Sequence, residues 1–303
     1  IATGRVGKSG RAKKEVAPNS PRDMANAYVP PTSAALPMIG SSTLILVLKL
    51  FLSPILIAAA TLIGRRWGPA ASGWFTGFPF ISAPISIILA LQNGLPFASQ
   101  AAAGTIGGQT SVCLFAIAYI LAAQRFPWWI CTMLSLGIFF GAAALWNSVG
   151  LSLLPALIIL LGMVLLLAWS IPVQKITNTN RNYPWWDLPA RMLAAMIFVA
   201  VLTSASKTLG PQLRGIFSAF PVFGLVLAAF THAQQGRQAA RQLLRGSILG
   251  SFGIAGFYMI IGSLLLPFNS LWTYLLAAGM AVAANRISLY LTTRSMTRSS
   301  HSA

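Results

Sequence analysis

Acidic residues are nearly absent from this 303-residue chain. It holds 3 Asp+Glu, namely Glu15, Asp23 and Asp187, against 21 Lys+Arg, for a formal net charge of +18. None of the three lies in an apolar stretch, which leaves no carboxylate pair for acid–base work and no embedded acid for proton or sodium coupling. Cysteine is scarce as well. Cys113 and Cys131 cannot build a disulfide framework, have no metal-ligand spacing, and read as buried thiols. Charge of either sign is low, at 8% of residues against about 25% in an ordinary soluble domain. No Ser-His-Asp set, HExxH pattern, Cys/His cluster or phosphate loop occurs, so neither an enzyme nor a holder of cofactor or metal is expected.

What is abundant is apolar: 56% of residues are hydrophobic and the mean hydropathy is +0.74. This excludes a pair of soluble domains and predicts a polytopic membrane protein. The positive excess does not mark a nucleic-acid binder, because no basic run interleaved with aromatics sits on a polar domain. Lysine and arginine read instead as topology signals and lipid-headgroup contacts, making the bilayer the expected partner.

Residues 1–40 are rich in Gly, Ser, Pro and basic residues, have no apolar period, and are expected to be disordered. Met38 stands just before the first apolar run, and the sequence upstream of it is expected not to belong to the native protein. The rest divides into lengths that suit a bilayer, about nine and within a range of roughly 8–10. They fall near 42–63, 71–92, 97–123, 127–147, 151–172, 189–208, 211–231, 244–266 and 270–291. The second and seventh are rich in Gly and Pro and are candidates for broken or re-entrant segments. The expected layout is a first repeat with a linker helix over 41–172, a loop at 173–188, a second repeat over 189–292 and a tail at 293–303. Arg65, Arg66, Arg125, Lys175, Arg181, Arg237 and Arg241 fall in alternate loops, and Arg294 and Arg298 in the tail. By the positive-inside bias these loops and the C-terminus are cytoplasmic. Trp128–Trp129 and Trp185–Trp186, each after a proline, belong at the same interface.

Laid over itself at a shift of 142 residues, the chain aligns without a gap. Residues 68–94, GPAASGWFTGFPFISAPISIILALQNG, match residues 210–236, GPQLRGIFSAFPVFGLVLAAFTHAQQG. The register pairs Gly68 with Gly210, Pro69 with Pro211, Gly73 with Gly215, Phe78 with Phe220, Pro79 with Pro221 and Gly94 with Gly236. It continues through Gln100 and Gln242, Gly104 and Gly246, and Gly108 and Gly250, and upstream through Lys49 and Arg191 and Arg65 and Lys207. Conserving Gly, Pro, Gln and basic positions in one register points to a duplication. Five crossings separate equivalent segments, and an odd number inverts the second copy. The expected fold is therefore an all-α membrane helix bundle of two inverted-topology repeats, the arrangement common in secondary transporters.

The second half, with Gly215, Phe220, Pro221, Gly236 and the basic stretch through Arg241 and Arg245, resembles the GlpM-type family of small four-helix bacterial inner-membrane proteins. The resemblance covers residues 189–291, the first half being a more distant copy. It departs from the family pattern in being doubled and in carrying His232. The resemblance implies a bacterial inner-membrane, multi-pass location rather than an activity.

The best candidates for a substrate site are the Phe78–Pro79 and Phe220–Pro221 elements. Proline withholds a backbone donor and distorts the preceding turn, while Gly73, Gly77 and Gly215 permit close approach. In hydrocarbon the freed carbonyls need partners from protein, water or substrate. Pro79 lies about eight residues into its segment, roughly 12 Å deep at helical rise. Thr76, Ser82, Ser86 and Ser218 near the breaks, and Gln100, Gln109, Gln242 and Asn147 on neighbouring helices, are the polar groups available to line a path. Thr76, Ser218 and the mates Gln100 and Gln242 lead this set. Lys49 and Arg191 read either as charges at opposite mouths, favouring a neutral or anionic solute, or as headgroup contacts reached by snorkelling. GTIGG at 104–108 reads as close helix packing, and His232 as an interfacial residue. Two functions follow: a carrier of a small solute by alternating access, or a non-transporting membrane scaffold or accessory subunit of an envelope-assembly or export machine. A conserved cytoplasmic loop surface around Arg237, Arg241 and Arg245 marks the second, an aqueous cavity reaching both Phe-Pro elements the first. A homo-oligomer is compatible with either.

Overall fold

A computed structural model describes residues 41–170, 183–208 and 220–299. Among them every regular element is an α-helix: α1 (Ser41–Trp67), α2 (Pro69–Phe75), α3 (Ser82–Asn93), α4 (Leu95–Ala122), α5 (Trp128–Val149), α6 (Leu153–Ser170), α7 (Asp187–Thr208), α8 (Val222–Gln235), α9 (Arg237–Leu264) and α10 (Ser270–Ser299). The basic tail, most of the loop at 173–188, and residues 209–219 with Gly215 and Ser218 lie outside the described residues.

Four of the helices are long and apolar enough to cross a bilayer: α1 over Leu50–Trp67, α4, α5 and α9. Ser82–Asn93 and Leu153–Leu167 are apolar but shorter. The segment expected at 71–92 departs most from a simple span. It is divided into α2, an irregular stretch at 76–81 and α3, because Pro79 has no N–H to continue the ladder.

Four helix boundaries in the two halves fall at one offset of 142 residues. α3 and α8 end at Asn93 and Gln235, α4 and α9 begin at Leu95 and Arg237 with 28 residues each, and α5 and α10 begin at Trp128 and Ser270. The same residue type makes the joint. Gly94 (φ 87°, ψ 162°) and Gly236 (φ 87°, ψ 172°) each turn the chain between two helices in a single residue, in a backbone region that a Cβ forbids.

α4 and α9 are mostly buried and form the centre of the bundle. They run antiparallel: Ser99 Oγ donates to the Gly262 carbonyl at 3.0 Å near one end, and Gln109 Nε2 to Ser251 Oγ at 2.8 Å at mid-length. α5 packs on α4, α10 on α9, and α1 on α7. α2 and the turn that follows it lie along α9 through glycines spaced four apart on each side, Gly73 and Gly77 against Gly246 and Gly250. A Cβ added to Gly73 would strike the Leu243 carbonyl, one on Gly77 the Gly250 backbone, and one on Gly246 the Ala70 carbonyl. Backbone therefore meets backbone here, as the small-residue spacing allows. In the GTIGG stretch, Gly107 receives the Trp146 indole of α5, whereas Gly104 faces open space. Large apolar side chains point outward on α1, α5, α6, α7 and α10, among them Phe51, Ile55, Met133, Ile138, Ile158, Ile197 and Leu275. A surface of that kind is compatible with a membrane protein.

Candidate functional site

Two groups of polar side chains lie inside this bundle. The first is at mid-length, beside the break between α2 and α3. Thr76 Oγ1 donates to the Gly73 carbonyl at 2.6 Å and lies 3.0 Å from Ser247 Oγ. Ser251, one turn further along α9, donates to the Ser247 carbonyl at 3.2 Å, accepts from Gln109, and lies 3.4 Å from Cys113 Sγ. A connected path of hydroxyl, amide and thiol thus joins α2, α9 and α4. The break itself is braced by tyrosines: Tyr258 Oη donates to the Ser82 carbonyl at 2.9 Å, and Ser86 Oγ and Tyr274 Oη are 3.1 Å apart. The carbonyl that Pro79 leaves without its helical donor, that of Phe75, accepts from Phe78 N–H at 3.3 Å instead.

The predicted residues divide around this group. Pro79 is buried, and Phe78 meets Trp74 edge-on at 5.0 Å and stacks on Phe80 at 5.4 Å. Pro221 is buried too, but Phe220 packs against Phe139, Phe140 and Phe198 of α5 and α7. The two Phe-Pro elements therefore sit in different packing environments, one on α9 and the other on α5 and α7. Thr76 and Gln109 belong to the mid-length path. Gln242 is half-buried on α9, while Gln100 and Asn147 are exposed on the outside. Other embedded hydroxyls serve their own helices, as Thr105, Thr110, Ser111, Thr132 and Ser135 do by bonding the carbonyl four residues back. Ser247 and Ser251 went unnoticed in the sequence, although the 142-residue register places Ser251 opposite Gln109.

The second group lies at the end of the bundle where the basic loops meet. Asp187, the first residue of α7, is fully buried and accepts from Arg65 Nη2 at 2.9 Å, Arg191 Nε at 2.7 Å and Gln234 Nε2 at 2.7 Å. Burial alone raises its carboxyl, but hydrogen bonds from Arg65 and Arg191, the Arg191 charge and Gln234 outweigh it and hold the group below the ordinary carboxylate range. Arg191 also reaches Thr231 Oγ1 and Gln234 Oε1, both at 3.4 Å, and lies over the Phe230 ring; Arg65 lies over Tyr183. Arg191 is 2% exposed. It is neither a snorkelling side chain nor a charge at a mouth, because its helix is docked against α1 and α8 and the carboxylate compensates its burial. The side chain of Lys49 lies outside the described residues. Nor was Asp187 expected to matter: it precedes its apolar segment by two positions, yet is the carboxylate on which three helices converge.

Arg237 Nη1 donates to the Gln124 carbonyl at 3.2 Å, and Tyr119 Oη and half-buried His232 Nδ1 are 3.3 Å apart. Together with Arg65–Asp187, these contacts bring the loops after α1, α4 and α8 and the start of α7 to one end. Trp128, Trp129, Trp185 and Trp186 are exposed at the same end. Arg237 is exposed, Arg241 half-buried and Arg245 buried, so the three do not form one outward surface. Cys113 and Cys131 are buried free thiols.

Compared with protein-family models, curated proteins and solved structures, the chain matches none.

Proposed function

We propose that the protein is a secondary transporter or facilitator for a small neutral or anionic solute, working by alternating access in a bacterial inner membrane. One observation carries this reading. Gln109 bonds Ser251, its counterpart 142 residues on, at the middle of two antiparallel helices of equal length. A residue touches its own mate only on a symmetry axis, and an axis relating antiparallel helices lies across them. That geometry supports an inverted duplication, with the axis in the plane of the bilayer. Further support comes from Trp146 over Gly107, which recurs at the matching positions as Ser288 bonded to the Leu249 carbonyl at 3.0 Å. Pro79 and Pro221, also mates, are both buried.

On this reading the Thr76–Ser247–Ser251–Gln109 path is where solute passes, and the Asp187 cluster closes the cytoplasmic side. The nine-pass layout with a cytoplasmic C-terminus accommodates the meeting of the basic loops at one end. The resemblance of residues 189–291 to the GlpM-type family fits the same location. The alternative is a non-transporting scaffold, in which the duplication serves only to build a stable bundle; no catalytic role is proposed.

The test places a single cysteine at Ser247 after Cys113→Ala and Cys131→Ala. Right-side-out and inside-out vesicles are then treated with a small charged methanethiosulfonate. A carrier reacts from both faces at this mid-length position. A folded protein unreactive from either face supports the scaffold.

A further inference from the structure

We propose that the outer face of α10 is a docking surface for a transmembrane helix of another protein, one that carries an Asp or Glu at mid-bilayer. Asn285 and Ser288 turn one side of α10 to α9: Asn285 Oδ1 accepts from the Gly253 N–H at 3.1 Å, and Ser288 Oγ donates to the Leu249 carbonyl at 3.0 Å. On the opposite side Leu275, Gly279, Val282, Ala283 and Arg286 are all exposed. The contact with Gly253 sets the depth of Arg286. It lies level with the midpoint of α9, where Ser251 meets Gln109, the midpoint of α4. This placement rests on reading α9 as a bilayer span, and it holds for a carrier and a scaffold alike.

Charge identifies the occupant. Among the described residues Arg286 is the only exposed basic side chain away from a helix end or loop, and it has no ion-pair or hydrogen-bond partner among them. Facing hydrocarbon it would be an uncompensated cation, a costly arrangement. Headgroups do not relieve it, because they lie about 15 Å away on either side, half the hydrocarbon thickness and beyond the reach of an arginine side chain. A second copy does not relieve it either. The chain's 3 acids are Glu15 and Asp23, both before the first apolar run, and Asp187, which is buried and committed to Arg65 and Arg191. Pairing α10 with its own copy would also set like charges side by side. What remains is a carboxylate brought into the membrane by another chain, the pairing that embedded charges commonly make. Shape agrees with charge. Ala283 and Gly279 lie one and two turns from Arg286 on its own face, and a Cβ on Gly279 would meet nothing within 4 Å, so a helix can approach closely there. At the equivalent positions of α5, 142 residues earlier, Gly137 and Ala144 are exposed as well but carry no charge. The docking face is therefore particular to the second half.

The test uses the purified full chain with a donor dye on Gln124→Cys, after Cys113→Ala and Cys131→Ala, in phosphatidylcholine vesicles. The probe is a synthetic Leu/Ala helix of about 21 residues, flanked by lysines, with an acceptor dye and a single central Asp or Asn. Energy transfer is read against the peptide-to-lipid ratio. The Asp helix should half-saturate at a ratio about fivefold lower than the Asn helix, because a charged acceptor holds a guanidinium better than a neutral amide does. Arg286→Leu should remove that difference and Arg286→Lys should keep it. Gly279→Leu, which strikes no neighbour in the folded chain, should weaken binding of the Asp helix. Equal binding of the two helices while Arg286 is in place, or an Asp preference that survives Arg286→Leu, would overturn the proposal. So would saturable transfer between two labelled copies of the chain that Gly279→Leu abolishes, which assigns the face to a second copy. If alkaline washing strips the chain from the vesicles, the bilayer reading fails and the proposal with it; a retained chain that binds both helices equally defeats the proposal alone.

Discussion

Asp187 holds two guanidiniums and one amide, and its removal leaves buried charge behind. Asp187→Asn keeps the shape and one acceptor oxygen but not the charge. Breaking a buried pair from one side costs about 3–5 kcal/mol, and this variant should lose stability of that order in denaturant titrations of the detergent-solubilised protein. Arg65→Gln should lose less, because Arg65 is partly open to solvent at 26%. The pH dependence has a definite sign. The folded carboxyl lies below its unfolded value of about 3.9, so its contribution is complete above roughly pH 4 and is lost as pH falls through the folded value. The wild type should therefore lose this increment on acidification below about pH 4, and Asp187→Asn should not; matching acid limbs in the two proteins would deny Asp187 the role. Little of this was legible in the sequence. Arg65 and Gln234 are 122 and 47 positions from Asp187, and only the docking of α1 and α8 on α7 brings them to it.

At the scale of elements, glycine and proline carried most of what could be read, because they act on the backbone and need no knowledge of partners. Pro79 interrupts its segment, and Gly73 and Gly77 receive α9, as their types and spacing imply. The same logic ranks substitutions. Gly73→Leu and Gly246→Leu push a side chain into opposing backbone and should abolish the folded, monodisperse protein in gel filtration. Gly137→Ala and Gly141→Ala meet nothing within 4 Å and should leave it intact or slightly more stable, by up to about 1 kcal/mol per site. Gly94→Ala and Gly236→Ala meet no neighbour across space at Gly236, yet each imposes a backbone penalty of about 1–3 kcal/mol, measurable as a lower unfolding midpoint. What glycine and proline did not reveal is which surfaces they face. Phe78–Pro79 and Phe220–Pro221 match in sequence but pack in different surroundings, since aromatic rings of α5 and α7 enclose the second.

For the whole molecule, the proposed inversion puts equivalent exposed positions on opposite faces of the membrane. Gln124 and Leu266 are such mates and both are exposed. With the native cysteines replaced, Leu266→Cys should label from outside intact cells with an impermeant thiol reagent, and Gln124→Cys only after permeabilisation. Labelling from one and the same side would remove the basis for alternating access. The apolar character was legible because composition alone requires it, whereas the start of α9 at Arg237, seven residues before the span expected at 244–266, was not; nor were the contacts between the halves, because the register says nothing about docking. Those contacts bear on the history of the chain. α2 belongs to the first half, yet its backbone lies against α9 of the second, and α1 lies against α7. Under the proposed duplication, an undoubled ancestor had to find these surfaces on another molecule inserted the opposite way up, and was thus an obligate pair of dual-orientation chains. On the same proposal, fusion frees each copy from serving both orientations and lets their loops diverge, as Arg125 opposite Pro267 and Arg237 opposite Leu95 differ.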